Sequence, residues 1–388
     1  MISAKQLFTP EDEAYLIRIR REIHEYPELG FELPRTAAVV RRELDAMGIP
    51  YTERYAPCSV VGVLGAGEKT LALRADMDAL PVTEETELPF SSRVPGQMHA
   101  CGHDAHTAML LTAARVLKRA ENSLSCRVKL LFQPSEECEV SGAQKMCENG
   151  VMDDVDFVIG QHVGTDLATG EIGVHSGPFM AACHPYTVEF FGKSVHATMP
   201  QNGHDALAMA VKAYNDIYLM NSRELSPFAN RIISVSSLHA GTAHNIITDY
   251  AKMLITFRFF DMELHDFVDA RIRKICRNAA EELDGTCRFT DAISTYACVN
   301  DALLAEKVRQ AAEKVVGAQN VKESPARMGS EDFAHFGRCK PGMMFRLGIR
   351  NEEKSCTAAG HNSRFTVDED ALKFGCQTFV QTVLDYSE

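Results

Sequence analysis

From about residue 58 onward, short apolar runs alternate with amphipathic helical stretches, and this alternation restricts the fold more than any other feature of the chain. Brief apolar runs bounded by turn signals read as buried strands, and strands separated by helices form a largely parallel sheet covered by those helices. SVVGVLGAG, TLALRADM, VKLLFQ and VDFVIGQHV are the predicted strands, with DAHTAMLLTAARVLKRA and SGAQKMCENG as helices between them. Two helices come first. TPEDEAYLIRIRREIHEY opens on Thr-Pro, has an acidic first turn and repeats Leu16, Ile19 and Ile23 at helical spacing; RTAAVVRRELDAMG is closed by Gly48.

The pattern changes near residue 184. PYTVEFFG, a helix from Asp205 to about Ser222, RIISVSSLHAG, YAKMLITFRFF and the helix DFVDARIRKICRNAAEEL follow one another, with one more strand near TCRFTDAI. This β-α-β-β-α order is the split βαβ arrangement of a small α+β domain. A chain of 388 residues exceeds one compact core. The predicted fold class is therefore α/β: an α/β/α sandwich domain made of residues 1–183 and 299–388, interrupted by a smaller inserted α+β domain over 184–298.

A formal charge of −13 argues against nucleic acid or an anionic membrane as the main partner, because both require clustered Lys and Arg. No run of eighteen or more apolar residues predicts a transmembrane helix, and MISAKQLFTPEDEAY lacks the apolar core of a signal peptide. The expected location is the cytoplasm. The twelve cysteines include no C-x-x-C pair and read mostly as small buried hydrophobes.

The chemistry concentrates in QMHACGHDAH, where Cys101 and His103 are two apart. In an extended segment both would point to one side, a thiolate and an imidazole suited to a divalent metal, and the helix that follows adds a positive end favouring the thiolate. A buried cysteine beside a surface histidine is the competing reading. FQPSEE ends a buried strand with Glu136 and Glu137, where α/β folds build their sites; a solvated acidic turn is the alternative. His162 ends VDFVIGQHV, and His361 stands in the Gly-bounded loop of AAGHNSRF. Each histidine alone reads as a structural or exposed residue. Together Cys101, His103, Glu137, His162 and His361 make five ligands, too many for one tetrahedral zinc and suited to two metals sharing a bridging water. Asp78 in RADMDALP is placed to orient a ligating histidine, and Asp76 has no assigned role.

Nine motifs in order, RREIHEYPELGFE, RADMDALPV, MHACGHDAHTAML, FQPSEE, GQHV, GKSVHATMP, HNII, GSEDF and GHNSRF, resemble the M20 family of metallopeptidases. The similarity is to the amidohydrolase branch that includes hippurate hydrolases, auxin-conjugate hydrolases and N-acyl-amino-acid deacylases. The resemblance implies a catalytic domain interrupted by a lid domain that also makes the dimer contact. It implies two divalent metal ions per subunit, zinc or manganese with cobalt or nickel also admissible, held by the five ligands with Cys101 bridging. Glu136 matches the general base. His196 in GKSVHATMP matches a histidine that reaches the partner subunit's site and polarises the scissile carbonyl. Asn245 in HNII and Arg258 in TFRFF match positions that bind the substrate's carboxylate or nearby groups. The chain departs from the pattern at Lys193-Ser194-Val195, where a glycine-rich run is usual, at Gln161 and at Ser135.

The expected activity is hydrolysis of the amide bond of small N-acylated amino acids by metal-activated water, in a homodimer or higher homo-oligomer. A carboxypeptidase or dipeptidase of the same family is the rival enzyme. A non-catalytic binding protein on the same fold, or a redox sensor using the Cys–His pair, are rivals of another class; the latter requires Cys101 to react with peroxide and no stoichiometric metal to bind.

Overall fold

The computed structural model describes Ser3–Ala292 and Thr295–Ser387. Ile293, at the end of the expected strand TCRFTDAI, and the first two residues of the N-terminal segment lie outside the described residues. The chain separates into two compact units.

The first unit comprises Met1–Phe179, Val299–Pro325 and Asp332–Glu388. Its sheet has eight strands, and the four at its centre, in spatial order Arg127–Gln133, Thr70–Asp76, Phe157–Ala168 and Gly342–Arg350, are all parallel. Burial on both faces explains why these segments read as continuous apolar runs. Successive strand residues point to opposite faces. Gln161 donates to the Met109 sulfur in the His103–Arg119 helix at 3.4 Å, whereas a side chain at Gly160 would meet Phe333 at 3.0 Å, just before the Ala334–Cys339 helix. Helices therefore cover both faces.

The Pro10–His24 helix is started by Thr9, whose side chain and N–H form a reciprocal pair with Asp12. It buries Tyr15, Leu16, Ile19 and Ile23, each aliphatic side chain being worth about 2 kcal/mol of transfer free energy. The Pro34–Met47 helix stops at Gly48, whose φ of 65° is left-handed.

The second unit comprises Met180–Cys298 and Ala326–Glu331. Four antiparallel strands lie in the order Arg231–Ala240, Tyr250–Phe259, Ala182–Phe191, Thr286–Asp291. Along Tyr250–Phe259 the buried residues are Ala251, Met253, Ile255, Phe257 and Phe259, the period of two expected of a sheet with one covered face. The Ala206–Arg223 and Met262–Glu281 helices pack there, capped by Asp205 and Asp261. This unit begins at Met180 rather than 184 and takes back Ala326–Glu331, which the strand–helix pattern did not foresee. Hydrogen bonds to that segment's backbone are the reason: Ala181 N–H donates to the carbonyls of Arg327 at 3.1 Å and Gly329 at 2.9 Å, and the Arg258 side chain donates through Nη1 to that of Met328 at 2.7 Å. No helix among the described residues is long and apolar enough to cross a membrane.

Candidate metal centre

Parallel strands deliver their side chains to one edge of the sheet, the carboxyl ends, where open α/β sheets bind ligands. Thr70–Asp76 runs out to Asp78, Arg127–Gln133 runs into the turn bearing Glu136 and Glu137, and Phe157–Ala168 carries His162. His361 joins them because its N–H donates to the Ala100 carbonyl at 2.8 Å, one residue before Cys101. It does so with a φ of 66°.

The five residues read from the sequence as ligands converge. Cys101 Sγ lies 3.4 Å from His162 Nε2, and His162 Nδ1 donates to the Val163 carbonyl at 2.7 Å, so Nε2 is the nitrogen left facing the thiol. His361 Nε2 is 3.1 Å from Glu137 Oε1, and His103 Nε2 is 3.9 Å from the same oxygen. Donor atoms of Cys101, His103 and His162 all lie within 4.8 Å of one another, and so do those of Cys101, Glu137 and His361. Cys101 is common to both triads. Glu136 meets the same criterion with His103 and Glu137.

Both ring nitrogens of His103 are buried without a hydrogen bond. Nδ1 faces Asp78 Oδ1 at 3.5 Å and Nε2 stands 3.6 Å from Asp76 Oδ2, so the ring lies among carboxylates with no close partner on Nε2, where burying an unpaired polar atom costs about 1 to 3 kcal/mol. A cation fits there, because sulfur, imidazole nitrogen and carboxylate oxygen together suit a divalent metal.

Cys101 and His103 do not share one side of an extended segment, as the sequence suggested. Gly102 has a φ of 87° and His103 is already the first residue of the helix. A left-handed residue turns the chain straight into the helix, and only glycine fits: a Cβ there would lie 2.5 Å from Val163 Cγ2.

Asp78 faces the histidine and the acidic turn together. Its Oδ1 lies 3.5 Å from His103 Nδ1, and its two oxygens accept the backbone N–H groups of Glu136 and Glu137, each at 3.0 Å. Ser135, with a φ of 56°, tightens the turn so that these consecutive N–H groups form a small anion cradle. Asp78 thus holds the acidic turn while it faces the His103 ring.

Asp76, left without a role by the sequence, and His106 and Asp332, which the sequence reading did not single out, are buried anchors. Asp76 accepts from Arg74 Nη1 at 2.7 Å and from His106 Nδ1 at 2.6 Å, and His106 Nε2 accepts the Val163 N–H at 3.0 Å. A backbone N–H can only donate, so the neutral ring carries its proton on Nδ1. His106 therefore ties the end of one strand to the residue after His162. HDAH already put His103 and His106 three apart, on one helix face. Asp332 of GSEDF is a second buried anchor, accepting from Arg74 Nη2, Gln133 Nε2 and Ser141 Oγ at 3.1, 2.9 and 2.7 Å.

The electrostatics follow from burial and these neighbours. Desolvation, helped by the Glu137 charge, pushes the Cys101 thiol up to about 12. Burial and the nearby His106 and Arg346 hold His162 well below the usual histidine range, in the neutral form that ligates. For Glu137 burial acts upward, but the hydrogen bond and charge of His361 with the charge of His103 outweigh it and keep the carboxyl below its ordinary value.

The other predicted site residues belong to the second unit. Val195–His196 pairs with Ile246–Ile247, with His196 opposite Ile246, and the Ala197 N–H donates to the Asn245 carbonyl at 3.0 Å, so this two-stranded ribbon carries both His196 and Asn245. Both are exposed. His196 Nδ1 accepts the Thr198 N–H at 3.3 Å, which puts the proton of the neutral ring on Nε2. Arg258 spends one guanidinium nitrogen on the Met328 carbonyl.

Residues 72–385 match Peptidase family M20/M25/M40. Thermostable carboxypeptidase 1 of Saccharolobus solfataricus is 37% identical over 382 residues, covering 97% of this chain and 96% of that protein. N-acetylcysteine deacetylase of Bacillus subtilis is 35% identical over 373 residues, 94% of this chain and 95% of the relative. The crystal structure of the Bacillus subtilis YXEP protein, a dinuclear metal binding peptidase from the M20 family, is similar with a TM-score of 0.83 at 30% identity, covering 97% of this chain and 98% of that one. With so much of its length matched, by sequence and by fold, the chain belongs to Peptidase family M20/M25/M40.

Proposed function

We propose that the protein is a metal-dependent amidohydrolase that cleaves the amide bond of small N-acylated amino acids. The observation that carries this reading is the convergence of five donors into two triads sharing Cys101, around a histidine whose buried ring nitrogens lack hydrogen bonds. Cys101, His103, Glu137, His162 and His361 are the residues that would hold two divalent cations, with zinc favoured by the thiolate and imidazoles and manganese admitted by the carboxylate. Cobalt and nickel also suit the set. What such a pair supplies when bound is Lewis acidity toward water and toward the amide carbonyl.

In this reading the Glu136 carboxylate accepts a proton from the attacking water and returns it to the leaving nitrogen. The His196 Nε2–H donates to the carbonyl oxygen as negative charge gathers on it, in the partner subunit's site of a homodimer. Asn245 and the remaining guanidinium N–H groups of Arg258 hold the substrate carboxylate, the inserted unit serving as lid and dimer contact. Asp78 orients the turn that carries the base. The name of the Bacillus subtilis relative supports an N-acyl amino acid as substrate, and a cytoplasmic location is part of the same proposal.

The name of the Saccharolobus relative favours a second reading, a carboxypeptidase. Metal analysis together with a panel of N-acetyl and N-benzoyl amino acids and dipeptides tests both. Two metals per chain and preferred cleavage of the N-acyl compounds are expected. Preferred cleavage of dipeptides moves the assignment to a peptidase, and absence of bound metal removes the reading altogether.

A further inference from the structure

Cys147 and Cys339 are far apart in sequence yet belong to the same compact unit. Cys147 stands in the last turn of the Gly142–Glu148 helix, and Cys339 is the last residue of the Ala334–Cys339 helix. These two short helices pack on each other. Across that contact the two thiols come within hydrogen-bonding reach, and next to them Glu148 approaches the His335 ring. Cys339 is exposed and Cys147 is half-buried. Burial first, and then the Cys339 sulfur, hold the Cys147 thiol well above its usual range.

Two facing thiols can share a soft metal ion or close into a disulfide. A structural metal site needs further donors, usually four in all. Among the described residues neither thiol belongs to a cluster of three His, Cys, Asp or Glu donors. A disulfide needs only the two sulfurs and backbones able to settle into its geometry. Both cysteines lie in last helical turns, where the carbonyls are no longer all held in the helix ladder, so a small adjustment costs little. We propose that Cys147 and Cys339 are a modification site that closes into a reversible disulfide by exchange with a small-molecule disulfide, and that the bond clamps the two helices together.

The exposed Cys339 reacts first. Its thiolate attacks one sulfur of the small disulfide, the old S–S bond breaks, and the departing thiolate takes up a proton. Cys147 then gives up its proton and attacks Cys339 Sγ, expelling the second small thiolate, which takes that proton. Two protein thiols are oxidised and one small disulfide is reduced to two thiols. The raised Cys147 thiol makes the second step the slow one.

The clamp adds to a tie already present at the other ends of the helices. Asp332, immediately before the Phe333 cap of one helix, accepts Ser141 Oγ at 2.7 Å and the Ala143 N–H at 3.2 Å from the start of the other. The Gly142 N–H in turn donates at 2.8 Å to the carbonyl of Ser135, the residue before Glu136. The helix that carries Cys147 therefore supports the acidic turn. The chain between the two cysteines includes the whole second unit, and closing so long a loop restricts the unfolded chain strongly.

The metal-loaded protein, Cys147→Ser and Cys339→Ser are equilibrated with glutathione disulfide, and their thiols are mapped by mass spectrometry of unreduced peptides. A Cys147–Cys339 linked pair is expected in the unaltered protein, undone by a phosphine reductant. Cys147→Ser should stop at a glutathione mixed disulfide on Cys339, and Cys339→Ser should leave Cys147 reduced. Oxidation should raise the urea midpoint of the unaltered protein by about 0.5 to 1 M and leave that of Cys339→Ser unmoved. Both thiols staying reduced, either one pairing with another cysteine, or a linked pair that leaves the urea midpoint unchanged overturns the proposal. These readouts follow thiols and stability alone, so their outcome is separate from that of the hydrolase assignment.

Discussion

The Asp78 carboxylate accepts the backbone N–H of Glu136 at 3.0 Å, and through its other oxygen that of Glu137 at the same distance. One buried charge therefore sets the direction of two adjacent acidic side chains with different proposed tasks. Asp78→Ala should lower metal affinity and kcat together by about 10- to 100-fold, the range found when a group that orients ligands is lost. Metal titration and steady-state kinetics on the same preparation check this. Unchanged values for both would mean that the turn keeps its shape without Asp78.

Glu136 has a different signature. It is the proposed proton carrier and no member of the five-ligand set, so Glu136→Ala should keep its metals and its melting temperature while kcat falls by about 100- to 10,000-fold. Metal analysis beside an activity assay separates the two effects. A variant that retains nearly full turnover would end the proposed role of this residue.

His106 joins Asp76 to the Val163 N–H across two strands that lie apart in sequence. Replacing it by alanine leaves a buried carboxylate with one partner fewer and a buried N–H with none. His106→Ala should therefore cost about 2 to 4 kcal/mol of stability, read as a lowered urea midpoint in the metal-free protein. A midpoint equal to that of the unaltered chain would show that the link carries no stability.

These anchors mark the boundary of what could be read from the residues alone. The strand–helix alternation, the change near residue 184 and the five donors were legible, because each is written locally as an apolar period, a strand end or a Gly-bounded loop. The Asp76–His106–Val163 and Arg74–Gln133–Asp332 links were not. They depend on strand register, which brings Arg74 opposite Leu131 on one side and Gly160 on the other. Gly102 misled for a related reason: without a Ser, Thr, Asp or Asn cap, nothing announces that the helix starts at His103. The return of Ala326–Glu331 to the second unit rests on hydrogen bonds to its backbone, which leave no trace in side-chain pattern.

Glu84 and His24 form a buried pair whose contribution to stability depends on pH. For Glu84 burial acts upward, but hydrogen bonds from His24, Thr86 and the Ser92 N–H prevail and bring the carboxyl down to about 2. For His24 burial acts downward, but Asp104 and Glu84 prevail and the ring is held above its ordinary value. A carboxyl lowered by folding contributes stability that is present above its unfolded pKa and lost as pH falls through the folded one; a histidine raised by folding contributes below its unfolded pKa and loses that contribution as pH rises through the folded value. The two contributions coexist fully between about pH 4.5 and pH 6.5, the ordinary values of the two groups. Glu84→Gln should thus destabilise the chain most within that window, with the difference from the unaltered protein shrinking toward pH 2. Urea unfolding at a series of pH values measures this, and a difference independent of pH would show that the Glu84 charge is not what the fold uses.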